Sequence, residues 1–114
     1  IIISALSFAW KKAIGIQLTS AMQADGSKHY ALEGDLFFGS VGDFEKALDV
    51  KNDPELVVLD FKHSNIADMG ALESLNKMIK KYQALDKKLL VKNLDEKSKA
   101  LINKAANLSL VHEV

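Results

Sequence analysis

The feature that most constrains the fold is an uninterrupted apolar run at residues 56–59, Leu-Val-Val-Leu, which Phe61 extends. A strand that is apolar on both faces must be covered on both faces, which is typical of the centre of a parallel sheet. Apolar residues at helical spacing occur on either side of this run, at 41–48 and at 72–82. Because strand–helix–strand crossovers are right-handed and join parallel strands, this order predicts an α/β fold.

An antiparallel hairpin is predicted before this unit. Residues 15–22 alternate between apolar and polar side chains, which is typical of a strand with one wet face. Asp25-Gly26 is a strong turn signal, and a second strand is expected from about Lys28 to Phe38. The side chains expected to share one face of that second strand are Tyr30, Leu32, Leu36 and Phe38.

The first predicted helix follows Gly39, which breaks the strand. Ser40 and Asp43 are three residues apart, which is the spacing of a capping pair. The helix is expected to end near Asn52, since Pro54 disfavours helical backbone in the residue before it.

Later elements continue the alternation of helix and strand. They are a helix from near Asp68 to about Leu85, a short strand at 88–91, a helix capped by Asp95 and Ser98 whose apolar stripe includes Leu108, and a final edge strand at 110–114. A chain of 114 residues is expected to form one folded domain. The sequence therefore predicts a mixed, mainly parallel sheet with an N-terminal hairpin and about three helices packed on it.

The first ten residues are almost wholly apolar and end at Trp10, before Lys11 and Lys12. They are too few to cross a bilayer, which takes about 20 residues of helix. A Trp followed by lysines resembles the cytoplasmic edge of a membrane helix. We therefore expect residues 1–13 to be the end of a last transmembrane helix and its linker, and 14–114 to be the folded domain. The alternative is a buried or swapped terminal helix of a soluble protein.

Composition excludes several classes of function. The absence of cysteine excludes disulfides, thiolate metal sites and thiol catalysis. Fifteen basic and fifteen acidic residues balance, so the chain lacks the broad basic field that nucleic-acid binding needs. No phosphate-binding glycine motif or nucleophile elbow occurs, and His29, His63 and His112 lack metal-ligand spacing. We expect no enzyme activity, no metal and no cofactor.

Two features have both a structural and a functional interpretation. Asp60 ends the apolar strand, and a lone carboxylate without a base or metal partner is more often a hydrogen-bonded structural group than a catalytic one. A lysine cluster is interpreted as a solvated helix face, with a polyanion site as the alternative. Its members are Lys77, Lys80, Lys81, Lys87 and Lys88.

The candidate site lies where the loops after two parallel strands lead into helix N-termini. Such loops gather at one end of the sheet, where ligands bind. Helix N-termini present unpaired N–H groups and partial positive charge, which suit an anion or a phosphoryl group. The alternative is ordinary capping by Ser40 and Asp68. The candidate residues for binding an anion, a nucleotide or a partner are Gly39, Ser40, Ser64, Asn65, Asp68, Met69 and Gly70.

Three segments in order resemble a known family. Residues 30–40, Tyr-Ala-Leu-Glu-Gly-Asp-Leu-Phe-Phe-Gly-Ser, resemble a strand motif of sulphate transporter and anti-sigma factor antagonist (STAS) domains. The resemblance is greatest to STAS domains fused to sulphate permease (SulP) carriers. Residues 57–61 and 66–75 resemble the second signature of the family, an apolar strand followed by a helix start. Residues 2–11 resemble the last membrane segment of these carriers.

The resemblance implies the small α/β STAS fold and a place at the C-terminal end of a SulP-type carrier. The domain would lie on the cytoplasmic face of the bacterial inner membrane and regulate transport of sulphate or a related anion such as bicarbonate. Its partners would be the transmembrane domain of the same transporter, a cytoplasmic protein and a nucleotide. We also expect a homodimer, because the apolar residues 1–12 need cover.

Soluble antagonists of this family carry a phosphorylatable serine at the start of the second helix. The resemblance places Asp68 at the family aspartate and Gly70 at the phosphoacceptor, so the phosphoryl switch is expected to be absent there. One alternative is a free-standing partner-switching protein resembling the anti-sigma factor antagonists, with phosphate on Ser64 or Ser74. Another is a small α/β enzyme that uses Asp60 or Asp68.

Overall fold

The computed structural model describes residues 16–105 and 110–114, and the predictions made for residues 1–13 and for Leu108 lie outside this part. Within the described residues, no helix is both long enough and apolar enough to span a bilayer. The elements of that part are β1 (Gln17–Met22), β2 (Lys28–Glu33), α1 (Val41–Ala47), β3 (Leu56–His63), α2 (Met69–Gln83), β4 (Lys88–Lys92) and α3 (Glu96–Lys104).

The four described strands form one sheet in the order β1-β2-β3-β4. β1 and β2 are antiparallel, with Leu18 opposite Leu32, and the predicted turn joins them. β2, β3 and β4 run parallel, and Val57 of β3 lies between Lys28 and Leu89 in register. The predicted hairpin and the mixed, mainly parallel sheet are confirmed.

The core lies between one face of the sheet and the helices. α1 packs against β1 and α2, and α2 packs against β4. Each large apolar side chain buried here stabilises the fold by about 1.5–3 kcal/mol, so this layer fixes the strands and the loops at their ends. The largest side chains that are almost completely buried are Leu32, Leu36, Phe44, Val57, Leu59, Phe61, Ile66, Leu72, Leu75, Met78, Tyr82 and Val91.

A buried polar cluster, which sequence reasoning missed, lies at the amino end of the parallel strands. The side chain of Asp53 has no exposed surface, and its Oδ1 accepts a hydrogen bond of 2.7 Å from Lys28 Nζ. Asp53 Oδ2 accepts hydrogen bonds from the hydroxyls of Tyr30, at 2.8 Å, and Tyr82, at 2.6 Å. One carboxylate therefore joins β2, the segment before β3 and the last turn of α2.

β2 is shorter than its alternation predicts. It ends at Glu33 rather than at Phe38, because Gly34 adopts a φ of +94° and turns the chain out of the sheet. Beyond this point Leu36 forms only an isolated parallel bridge with Ile66. The alternation is therefore lost, and Phe38 does not share the buried face of the strand as expected: it is 74 % exposed.

α1 begins after Ser40 as predicted but ends earlier than expected, whereas α2 agrees closely with the prediction. α1 ends at Ala47 rather than near Asn52, because Leu48 returns to extended backbone. α2 ends at Gln83, two residues before the predicted Leu85, and its apolar stripe is buried as expected.

The described part of the tail pairs with β4 by a single bridge rather than as a strand. Val91 N donates to His112 O at 3.0 Å, and Val114 N donates to Val91 O at 2.7 Å. The tail therefore lies on the expected edge of the sheet, but over one residue pair only.

Candidate functional site

Two loops meet at the carboxyl end of the parallel strands: the β2–α1 loop, residues 34–40, and the β3–α2 loop, residues 64–68. Backbone hydrogen bonds tie them together, since Leu36 N donates to Asn65 O at 2.9 Å and Ala67 N donates to Leu36 O at 2.8 Å. The two loops predicted to be neighbours are therefore in direct contact, and they form one continuous surface.

Asp68 is the N-cap of α2, and both of its carboxylate oxygens have partners. Oδ1 accepts a hydrogen bond of 2.8 Å from Ala71 N, as capping requires. Oδ2 accepts one of 3.1 Å from Phe38 N in the other loop. At this helix the capping interpretation is correct, and the negative charge of Asp68 offsets the partial positive charge of the helix end.

Ser40 occupies the N-cap position of α1, but its side chain makes no capping hydrogen bond. Its buried hydroxyl donates to Asp35 O at 2.9 Å and accepts a hydrogen bond from Phe37 N at 3.1 Å. Within this described loop and helix, the Ser40 side chain makes no bond to the first turn, so the predicted capping pair with Asp43 is wrong. The hydroxyl closes the loop instead. The neighbouring Gly39 is exposed.

The side chains of Ser64 and Asn65 join the two loops through hydrogen bonds. The Ser64 hydroxyl donates to Gly34 O at 2.5 Å, and Ser64 is 8 % exposed. The Asn65 amide Nδ2 donates to Asp35 Oδ1 at 2.9 Å. Both side chains therefore stabilise the contact between the loops.

The surface above this framework is apolar. Phe38 is 74 % exposed, and Met69, at the start of α2, is 43 % exposed. Gly70 lies beneath Phe38, since a Cβ at position 70 would lie 3.1 Å from Phe38 Cβ. The glycine thus allows the aromatic loop to approach the helix closely. We call the exposed side chains of Phe38 and Met69 the apolar tip.

A cleft of about 350 Å³ separates the two loops from α3. Ile66 N donates to Ser98 Oγ at 2.9 Å and fixes α3 beside the β3–α2 loop. Sequence reasoning assigned α3 no role in the site, although a spacing of three and four residues places Lys97, Leu101 and Lys104 on one helix face. The residues that line the cleft are Asp35, Asn65, Ile66, Ala67, Lys97, Ala100, Leu101 and Lys104.

The carboxylate of Asp60 is hydrogen-bonded, as its structural interpretation expects. Its Oδ1 accepts hydrogen bonds from Asn93 Nδ2, at 2.8 Å, and from Lys62 N, at 2.9 Å. Partial burial alone would raise the pKa of Asp60, but these bonds outweigh it and bring the pKa below its usual range. Across the described ranges, no three His, Asp or Glu side chains are arranged to hold a metal ion.

The comparison with known families agrees with the motifs and with the fold. The sequence profile of the STAS domain matches residues 19–113. The chain therefore belongs to the STAS domain family, and the small α/β STAS fold expected from the resemblance is confirmed.

Relatives of the chain occur both in transporters and among antagonists. The Bacillus subtilis (strain 168) protein YbaR, which is named as a candidate sulfate transporter, is 26 % identical over 106 residues. These residues are 93 % of this chain but only 22 % of YbaR, so the chain spans about a fifth of that relative.

Two solved structures represent the two groups. The antisigma-factor antagonist STAS domain from Rhodobacter sphaeroides is 28 % identical, with a TM-score of 0.60, over 67 % of this chain and 84 % of that one. The murine Solute Carrier 26 family member A9 anion transporter, in its inward-facing state, has a TM-score of 0.67 over 97 % of this chain and 22 % of that one. At 13 % identity, the second likeness shows a shared fold alone.

Proposed function

We propose that this chain is the C-terminal cytoplasmic regulatory and interaction domain of a sulphate-permease-type carrier, and that it is not itself an enzyme. The observation that carries the proposal is the alignment with YbaR, in which nearly all of this chain matches about a fifth of a larger protein named for sulfate transport. The carrier would transport sulphate or a related anion such as bicarbonate. The domain would lie on the cytoplasmic face of the membrane.

The path of the chain into the sheet supports this role. Gln17, the first residue of β1, is paired with Glu33, the last residue of β2. The polypeptide therefore enters the sheet at the carboxyl end of the parallel strands, where the two loops also lie. A transmembrane part that precedes β1 would bring the bilayer and the apolar tip to the same side of the domain.

The apolar tip is the surface we assign to partner contact. Exposed aromatic side chains on a rigid framework are typical of residues that dominate the affinity of an interface, and Phe38 is held in this way by Asp68. The partner would be the transmembrane part of the same carrier or a cytoplasmic protein. Regulation follows if the tip binds one conformation of that partner more tightly than another.

We propose two further partners of the same domain, a nucleotide and a second copy of the chain. The nucleotide would bind in the cleft, where the ammonium groups of Lys97 and Lys104 would contact its phosphates. The carboxylate of Asp35 also lines this cleft. A second copy of the chain would form the expected homodimer.

A second candidate function is a free-standing partner-switching protein, which the 84 % coverage of the Rhodobacter sphaeroides antagonist favours. It requires a phosphoacceptor, and Gly70 has no hydroxyl. The nearest serines are poorly placed, because Ser64 is 8 % exposed and Ser74 is 6 % exposed. The Ser74 hydroxyl also donates to Glu45 Oε2 at 2.6 Å. Stoichiometric phosphate on Ser64 or Ser74 after incubation with a kinase and ATP would favour this function.

The coding sequence upstream of Ile1 tests the main proposal. We expect a series of membrane spans there, and a gene product that has none would overturn the proposal. In the full carrier, deletion of residues 16–114 is expected to change sulphate uptake or its regulation in cells. Turnover of a nucleotide or an ester that is lost on Asp60→Asn or Asp68→Asn would contradict the assignment as a non-enzyme.

A further inference from the structure

Charge is unevenly distributed along this neutral chain. Residues 76–92 contain six lysines and one aspartate, a net charge of +5, so the remaining residues together carry −5. Excess charge of one sign on a contiguous surface attracts a partner of opposite charge. The six lysines are Lys77, Lys80, Lys81, Lys87, Lys88 and Lys92.

The fold gathers most of these lysines at the turn between α2 and β4. Lys80 and Lys81 lie in the last turn of α2, Lys88 begins β4, and all three are exposed. Lys87 lies between them and donates from Nζ to Val50 O at 2.6 Å and to Lys51 O at 3.0 Å. This contact brings the exposed Lys51 to the same surface.

An apolar side chain stands among these cations, since Leu85 in the turn is 47 % exposed. We call Lys51, Lys80, Lys81, Leu85 and Lys88 the basic turn. Within residues 16–105 and 110–114, none of its four lysines forms an ion pair. By contrast, the neighbouring Lys77 is paired with Glu45 at 3.0 Å.

Carboxylates adjoin the basic turn without neutralising it. Asp86 follows Leu85 directly, and Glu55 accepts the backbone N–H of Lys88 through its own carbonyl at 2.7 Å. Glu73 lies on α2 two turns before Lys80. Glu45 on α1 also interacts electrostatically with Lys81, although its ion pair is with Lys77. The four lysines therefore have four acidic residues near them, and Leu85 lies in the turn between Lys81 and Lys88.

We propose that the basic turn docks on the anionic headgroups of a lipid bilayer, with Leu85 entering the interface. All fifteen cations of the chain are lysines, so none offers the planar fork with which arginine recognises a single phosphate. Exposed lysines with flexible side chains instead suit a diffuse anionic surface, and an exposed apolar residue in the same turn favours lipid over a soluble polyanion. The inference rests on the proposed function, which places the domain beside a membrane.

Docking would set the orientation of the domain. The basic turn lies at the amino end of the parallel strands, whereas Gln17 enters the sheet at the carboxyl end. The six residues of β2 separate these two ends by about 20 Å. If both ends are close to the bilayer, the strands lie along the membrane surface rather than perpendicular to it.

Sedimentation of the full chain with vesicles tests the proposal. The vesicles contain about 30 % phosphatidylglycerol in phosphatidylcholine, or phosphatidylcholine alone. One lysine near an anionic bilayer contributes about five-fold to binding, so the double variant Lys80→Glu/Lys88→Glu should bind the anionic vesicles at least about 25-fold more weakly. The double variant Lys62→Glu/Lys99→Glu has the same net charge and should lose much less. Leu85→Ser should weaken the binding that remains at high salt.

The outcomes separate the sources of binding. Neutral vesicles measure the apolar contribution, from residues 1–10 and from Leu85, which neither double variant should change. Equal losses in the two double variants, or no preference for phosphatidylglycerol, would overturn the inference. So would displacement by inorganic phosphate at constant ionic strength, because it would indicate a site for a free anion. Circular dichroism confirms that each variant is folded. A negative result in the vesicle assay would not contradict attachment of the domain to a carrier, because the upstream coding sequence tests that proposal separately.

Discussion

The backbone N–H of Phe38 donates a hydrogen bond of 3.1 Å to Asp68 Oδ2, across two loops that follow different strands. The other oxygen of the same carboxylate caps α2 through Ala71 N. One side chain therefore both begins the helix and positions the exposed aromatic ring. The position of Phe38 depends on the bond to Oδ2, and the stability of the helix start depends on the bond to Oδ1.

Replacing Asp68 with alanine should destabilise the domain by about 1–2 kcal/mol. Loss of an N-cap costs about 1 kcal/mol, and loss of the second hydrogen bond to a charged acceptor adds a similar or smaller amount. Urea unfolding measures the difference. Asp43→Ala removes an exposed carboxylate from the first turn of α1, where no capping bond is lost, and should cost about 0.5 kcal/mol or less. Equal effects of the two changes would show that Asp68 acts through its charge alone.

Gly70→Ser restores a hydroxyl at the position of the family phosphoacceptor and tests how adjustable the apolar tip is. The new Cβ would lie 3.1 Å from Phe38 Cβ, so the phenylalanine must move. Because Phe38 is largely exposed, we expect it to move at a cost of about 1 kcal/mol or less, with a change in its NMR ring signals. Gly42→Ser, where the added Cβ meets no atom within 4 Å, is the control. A cost above about 3 kcal/mol would mean that the loop is rigid.

Phe38→Asp in the full carrier tests the role of the apolar tip in partner contact. The side chain is exposed, so the fold should persist, whereas an apolar contact with the partner should be lost. We expect altered uptake of labelled sulphate at an unchanged amount of carrier in the membrane. Met22→Asp changes another exposed apolar residue, 61 % exposed, at the opposite end of the sheet. If both variants transport like the parent carrier, the apolar tip is not the contact surface.

The fold was accessible from the sequence because its signals are periodic and local. The apolar run at 56–59 gave the central strand, and the stripe of α2 gave the helix that covers the sheet. Asp68 and Asp95 could be identified as caps because an N-cap side chain accepts the backbone N–H three residues later in the sequence. Each carboxylate accepts the expected N–H. The same rule failed at Ser40, whose hydroxyl finds partners within its own loop.

The parts that could not be predicted depend on contacts between distant segments. Phe38 continues the alternation of β2, yet Gly34 turns the chain before it is reached, and no periodic pattern records that turn. Asp53 stands 25 residues from Lys28 in sequence, so nothing local relates the two. The candidate residues do lie together at the carboxyl end of the parallel strands. The sequence could not show that most of their polar groups are already hydrogen-bonded, because these bonds form only when the two loops pack together.

Asp53→Asn should be among the most damaging single changes in the domain. The buried carboxylate accepts from Lys28 and from two tyrosine hydroxyls, and an amide offers only one acceptor oxygen. Breaking a buried ion pair by removing one partner costs about 3–5 kcal/mol. Asp49→Asn alters an exposed carboxylate in the same turn and should change the free energy of unfolding by about 0.5 kcal/mol or less. Similar small effects of both changes in urea unfolding would contradict a structural role for Asp53.

The same cluster predicts a loss of stability at alkaline pH. Hydrogen bonding to Asp53 raises the pKa of Lys28, and burial raises the pKa of Tyr82 and of Tyr30. All three groups ionise at about pH 10 in an unfolded chain, so above that pH the folded state retains protons that the unfolded chain has released. The contribution of these three groups to stability should be constant below about pH 10 and then fall as pH rises, by up to about 1.4 kcal/mol per pH unit for each group.

Urea unfolding between about pH 8 and about pH 11 measures this fall, and Tyr82→Phe isolates one contributor. The variant loses a hydrogen bond and should be about 1–2 kcal/mol less stable at neutral pH. It also lacks an ionisable group, so its stability should fall less steeply above pH 10 than that of the parent chain. Identical slopes would show that Tyr82 ionises as readily in the folded domain as in the unfolded chain, which its burial against Asp53 does not allow.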